Sequence, residues 1–209
     1  MSTKNRSLRR MKSLERSGSA VRFSVEADGI LVTVELSIPA ARIIRYKILP
    51  VEESSTERFD LLEPGWVPGQ DAPSIDDSDE RIILEAYGTK VEVTRDPWTV
   101  MVRDQDGRPA FYEYPHEIDA RAVSRSNPSG FDVSGDETTV SRVTFGLDPE
   151  ESLFGLGEKF TSIDKRGQRI VVWNRGAQGT STELAYKNIP FMVSSRGYGL
   201  LLNDSGRSI

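Results

Sequence analysis

Residues 81–112 read RIILEAYGTKVEVTRDPWTVMVRDQDGRPAFY. Arg81–Ala86, Lys90–Arg95 and Trp98–Arg103 are each of strand length and rich in β-branched residues. Asp104-Gln105-Asp106-Gly107 then supplies a turn into Pro109-Ala110-Phe111-Tyr112, with Asp-Gly as the hairpin signal. The same texture extends in both directions. Upstream, Val21–Val25 alternates apolar and polar residues, Ile30–Leu36 is short and β-branched, and Ala41–Ile48 reads similarly. Downstream, Val140–Phe145, Arg169–Trp173, Ile189–Ser195 and Gly199–Asn203 complete the set, the last pair turning at Arg196-Gly197-Tyr198-Gly199. Past residue 20 no stretch has the period of an amphipathic helix, although Pro149–Ser152 could make one helical turn. Many short strands joined by Gly and Pro turns predict an all-β sandwich or barrel.

Residues 52–80 change character: ten acids, one Arg and three prolines predict a long surface connection. Residues 1–16 hold six Lys/Arg against Glu15, a net +5, so the rest of the chain carries −10 of the total −5. Residues 1–20 are therefore expected to be a basic, disordered leader, and 21–209 a single domain. The leader has no apolar stretch like a signal peptide's, and no run of 18 apolar residues spans a bilayer. An acidic body repels phosphate backbones, so neither nucleic acid nor membrane is expected as a partner. The absence of cysteine excludes disulfides and thiolate chemistry and fits a cytoplasmic setting.

Familiar catalytic constellations fail one by one. His116 is the single histidine, which rules out multi-His metal sites, and no G-x-S-x-G elbow accompanies any serine. Gly155-Leu156-Gly157 opens like a dinucleotide fingerprint, but Phe160 stands where the third glycine belongs. Neither a metal nor a cofactor is expected. Glu158 and Glu183 remain as carboxylates for glycosidase chemistry; the plainer reading has Glu158 held in a turn by a neighbour such as Lys159.

From Leu153 the chain runs LFGLGEKFTSIDKRGQRIVVWNRGAQGTSTELAYKNIPFMVSSRGYGLLLND. Phe154-Gly155-Leu156-Gly157-Glu158 is similar to the YGLGE segment of family 31 glycoside hydrolases. Trp173-Asn174, Thr180-Ser181-Thr182-Glu183, Tyr186-Lys187-Asn188-Ile189-Pro190-Phe191 and Arg196-Gly197-Tyr198-Gly199 follow in that family's order. The chain thus resembles that family's N-terminal domain, and its Lys-Asn-Ile-Pro-Phe form resembles the α-xylosidase and α-glucosidase branch. The resemblance implies a galactose-mutarotase-like β-sandwich, a following (β/α)8 barrel, and retaining hydrolysis of α-linked sugars by two aspartates of that barrel. Neither aspartate is expected within these residues, which read as a domain cut short at its C-terminal end. The partners implied are an α-linked glycoside and the chain's own catalytic barrel, and a homo-oligomer is left open.

One loop carries the site expectation. In the family the loop after Trp-Asn offers an acid to the leaving-group sugar. Here Asn174-Arg175-Gly176-Ala177-Gln178-Gly179 places Gly176 about there, leaving Asn174, Arg175 or Gln178 to replace the contact. Amides and guanidinium groups suit sugar hydroxyls, and the Trp173 indole can stack on a pyranose or pack in the core after Ile170-Val171-Val172. Tyr186, Phe191 and Tyr198 are expected in the core. Two rival readings are a free-standing carbohydrate-binding module and a mutarotase-type epimerase, the latter disfavoured by a single histidine.

Overall fold

The computed structural model describes residues 4–49, 69, 71–104, 106–113, 129–133, 139–176, 185–204 and 206–209. The described residues form two compact units, one between residues 4 and 146 and one from 147 to 209.

The first unit is a β-sandwich. Its larger sheet has the order β11-β10-β1-β2-β3-β4, with β1 Lys4–Ser17, β2 Ala20–Ala27, β3 Ile30–Ala40, β4 Ile43–Leu49, β10 Gly130–Val133 and β11 Thr139–Arg142. The second sheet is the meander β5 to β9: Ser74–Asp77, Arg81–Ala86, Thr89–Arg95, Trp98–Arg103 and Pro109–Tyr112. All adjacent strands are antiparallel. Alternation decides which side faces in. Val21, Phe23, Val25 and Ala27 are buried on β2, and Val32, Val34, Leu36 and Ile38 on β3. They share one core with Ile82, Leu84, Val91, Val93, Trp98 and Val100 of the second sheet. The Phe23 and Trp98 rings meet edge to face at 5.4 Å. The intervening residues carry the outward charges, such as Arg22 against Glu35 at 3.0 Å.

The basic leader is the main correction. Lys4–Ser17 is a 14-residue strand lying between β10 and β2. Leu8 and Met11 are buried in the core and Leu14 packs against it. The cations face acids of the same unit: Arg9 pairs with Asp28, Arg10 with Asp96 at 2.6 Å, and Lys12 with Glu26 at 3.4 Å. A second correction concerns 52–80, where Ser74–Asp77 is an edge strand whose Ile75 faces Leu84. Its exposed Ser74, Asp76 and Asp77 suit an edge kept from pairing with other chains. Residues 52–68 lie outside the described residues.

Glu113, just past β9, is buried. The Tyr46 hydroxyl donates to its Oε1 at 3.1 Å and the Val100 N–H to its Oε2 at 3.0 Å.

In the second unit, β12 Leu153–Gly155, β13 Phe191–Ser194 and β14 Gly199–Leu201 form a three-stranded antiparallel sheet. Residues 149–150 form a turn and not a helix. The predicted strand Arg169–Trp173 is reduced to isolated bridges, Val172 to Ser208 and Asn174 to Ala185.

Candidate functional site

The geometry of the second unit begins at the glycines of Phe154–Glu158. Gly155, Leu156 and Gly157 all adopt positive φ, 106°, 65° and 85°. Such a run is tolerable mainly because two of the three lack a Cβ. A Cβ on Gly157 would lie 2.1 Å from the Lys187 carbonyl oxygen. The turn therefore sits directly on the Lys187–Phe191 segment, with Leu156 N–H bonded to Phe191 O and Glu158 N–H to Lys187 O, each at 2.9 Å. This close approach packs the two motifs against each other. Glu158 itself is exposed and pairs with Lys187 at 3.1 Å, not with Lys159. Lys159 turns inward to the Val171 carbonyl at 2.7 Å.

Trp173 follows buried Val172 and leaves 49% of its surface exposed. Val172 exchanges two backbone hydrogen bonds with Ser208, at 2.8 and 3.3 Å, and Arg175 N–H donates to Ala185 O at 3.1 Å. Asn174 Oδ1 accepts from the backbone and side chain of Asn188, each at 2.9 Å. A depression of about 190 Å³ is lined by Val172, Trp173, Asn174, Asn188, Pro190, Asp204 and Gly206. The structure thus brings Trp173 and Asn174 together, with exposed Arg175 and Gly176 following on the chain. Gln178, Glu183 and His116 lie outside the described residues. Asn174 is partly committed to holding Asn188, so its carbonyl group serves the fold.

Two polar residues at this depression escape a reading of motifs alone. Asn188 is hidden inside Lys-Asn-Ile-Pro-Phe, a segment recognisable as a pattern without a role for each member. Asp204 belongs to Asn-Asp-Ser-Gly, a turn signal, and its Oδ1 indeed accepts Gly206 N–H at 2.8 Å.

The aromatic residues expected in the core divide differently. Tyr186 is 65% and Phe191 42% exposed. Tyr198 enters a polar node: burial, then its hydrogen bond to Glu151, push its hydroxyl up to about 12. Buried Glu151 also accepts from Ser194 Oγ and from Asp148 N–H at 3.1 Å. Its burial works against ionisation, but the bonds from Ser194 and Tyr198 prevail and hold the carboxyl below its usual range. Arg196 closes the node on Asp148 at 3.2 Å. Arg-Gly-Tyr-Gly is thus the turn that anchors β13 and β14 to residues 148–151, and its role is structural. Among the described residues, no three His, Asp or Glu side chains are grouped as a metal site requires.

An all-β chain with this sandwich and this glycine-braced sheet has known relatives. The model of the glycosyl hydrolase 31 N-terminal galactose mutarotase-like domain matches residues 33–209, and the chain belongs to that family. It is 54% identical over 57 residues to an alpha-xylosidase of Emericella nidulans, a match covering 27% of this chain and 7% of that protein. It is 47% identical over 66 residues to alpha-xylosidase XylQ of Lactiplantibacillus pentosus, covering 32% and 8%. Among solved structures, the cycloalternan-forming enzyme from Listeria monocytogenes, in complex with a pentasaccharide substrate, superposes with a TM-score of 0.74. That likeness covers 96% of this chain and 18% of the enzyme at 19% identity, a statement about fold alone. The matches span a small part of each relative's length.

Proposed function

We propose that this chain is the sugar-contacting, non-catalytic N-terminal part of a retaining α-glycosidase, with α-xylosides favoured as substrates over α-glucosides. The observation that carries the reading is the half-exposed Trp173 indole, followed on the chain by Asn174 and Arg175, at a mainly apolar depression that Asn174, Asn188 and Asp204 also line. An indole offers an apolar face to a pyranose, while an amide and a guanidinium offer hydrogen bonds to its hydroxyls. The two alpha-xylosidase relatives support the substrate class. Phe160, Ile163, Tyr186, Ile189 and Phe191 of the second unit are exposed. Apolar surface of this kind supports docking of further chain, here the catalytic (β/α)8 barrel that supplies the two aspartates. The lack of cysteine supports a cytoplasmic setting.

The 209-residue chain alone should turn over neither 4-nitrophenyl α-xyloside nor the α-glucoside. Turnover lost on mutating Glu158 or Glu183 would locate catalysis in the chain and end this reading.

Arg175→Ala tests the binding role in the longer gene product. A lost hydrogen bond to a charged group is worth about 1.5–3 kcal/mol. The kcat/KM for a disaccharide, whose second sugar fills the leaving-group subsite, should fall roughly ten- to hundred-fold. An aryl glycoside should hardly respond, because its leaving group needs no such bond. An unchanged ratio of the two, with Trp173→Ala, Asn174→Ala and Gln178→Ala also neutral, would make the loop a connector only.

A further inference from the structure

Residues 171–175 carry two isolated bridges and belong to no named strand. Each residue is fastened separately. Val172 uses Ser208, and Arg175 uses the Ala185 carbonyl. The carbonyls of Val171 and Trp173 are taken by two side chains. The Lys159 ammonium donates to Val171 O at 2.7 Å and to Asn188 Oδ1. Asn188 Nδ2 lies 2.8 Å from Trp173 O and 2.9 Å from both Asn174 Oδ1 and Ala185 O. Its backbone N–H also donates to Asn174 Oδ1, at 2.9 Å.

The chemistry of the pair is directional. An ammonium can only donate, so the Asn188 atom facing Lys159 must be the oxygen. That choice turns the amide NH2 toward Trp173 O and Ala185 O, which can only accept. Lys159 therefore sets the orientation of the Asn188 amide, and the amide sets the path of the chain beneath Trp173. A charge-assisted bond suits this task, being about twice as strong as a neutral one. The indole of Trp173, whose own carbonyl is one of the two fastened, is half exposed.

We infer that Lys159 and Asn188 are positioning residues that hold Trp173, Asn174 and Arg175 in sugar-binding geometry. Neither is assigned to touch sugar, and the inference rests on the sugar-contacting reading of that face. Misplacing binding groups by about 1 Å can lower a rate up to 10²-fold.

The test uses the longer gene product and the ratio of kcat/KM for a disaccharide to that for an aryl glycoside. Asn188→Asp has nearly the same shape but sets an oxygen against two carbonyls; Lys159→Met keeps the aliphatic stem and removes the donor. Each should lower the ratio roughly tenfold, while Lys159→Arg, which keeps a cationic donor, should restore most of it. Lys159→Gln serves as the milder variant if Lys159→Met does not accumulate folded. A structural role alone would lower both activities together and leave the ratio in place, which overturns the inference. If Trp173→Ala and Arg175→Ala lower the ratio but Asn188→Asp, Lys159→Met and Lys159→Gln do not, the positioning role is wrong and the sugar-contacting reading survives. If none of them moves the ratio, both fall.

Discussion

Removing residues 1–17 should abolish cooperative folding of the first unit. β1 is an interior strand of the larger sheet, flanked by β10 and β2. Its loss takes Leu8, Met11 and Leu14 out of the shared core. Fully burying one such side chain contributes about 1.5–3 kcal/mol, so the three together approach the 5–15 kcal/mol by which a typical domain is stable. The deletion also strips β2 and β10 of hydrogen-bonded partners along one edge each. Soluble yield, the circular dichroism melt and light scattering report the outcome: aggregation, or a broad melt without a transition. Leu8→Ala provides the graded version and should cost about 2–5 kcal/mol in a urea titration. A truncated chain melting as cooperatively as the intact one would mean that β1 is dispensable.

The reason β1 reads as a leader is physical. A strand normally shows its inward residues at every second position, but Leu8, Met11 and Leu14 recur at every third. Two register shifts against β2, between Leu8 and Arg10 and between Met11 and Ser13, account for this. Each puts an extra residue, Arg9 and then Lys12, into β1, and both turn to acids, Asp28 and Glu26. A period of three with basic interruptions matches neither strand nor helix. The meander β6 to β9, whose register shifts only at Val102/Arg103 in its last pair, keeps strict alternation through β6 to β8 and coincides closely with what alternation and the Asp-Gly turn predict. β5 was hidden by its acids, because an exposed edge strand carries the composition of a loop.

The second unit was legible through its motifs, not its periodicity. Arg169–Trp173 has the composition of a strand yet finds only bridges, because Lys159, Asn188 and Ser208 satisfy its backbone from outside. Tyr186 and Phe191 looked like core residues because nothing in a single sequence separates an aromatic buried within a domain from one left on its surface. The glycines of Phe154–Glu158 announce a special backbone, but what they approach, the Lys187–Phe191 segment, is a tertiary fact. Trp173, Asn174 and Arg175 are adjacent in the sequence, whereas the reach of Lys159 and Asn188 to the same stretch is visible only in the fold.

Glu113→Gln should raise stability at neutral pH and change it little near pH 4. The carboxyl of Glu113 is pushed up from 4.5 to about 7, chiefly by burial, with hydrogen bonds from Ser129, Tyr46 and Val100 only partly offsetting it. Below pH 4.5 it is protonated in the folded and unfolded chain alike, so it imposes no pH dependence. Between 4.5 and about 7 the unfolded chain releases this proton while the folded one keeps it. The unfolded state then binds fewer protons, and stability falls as pH rises. Above about 7 the carboxylate is charged in both states and the loss is complete. The gap corresponds to about 3 kcal/mol. Glutamine mimics the protonated acid at every pH: its oxygen can accept from Val100 N–H while its NH2 donates to the Tyr46 hydroxyl. Urea titrations of both proteins from pH 4 to pH 8 should therefore give a stability difference that grows by about 3 kcal/mol across the window and is level on either side. The difference cancels every other titrating group, since both proteins share them. A difference that stays constant with pH would mean that Glu113 is ionised in the folded protein as readily as in the unfolded chain, with the Tyr46 and Val100 donors fully compensating its burial.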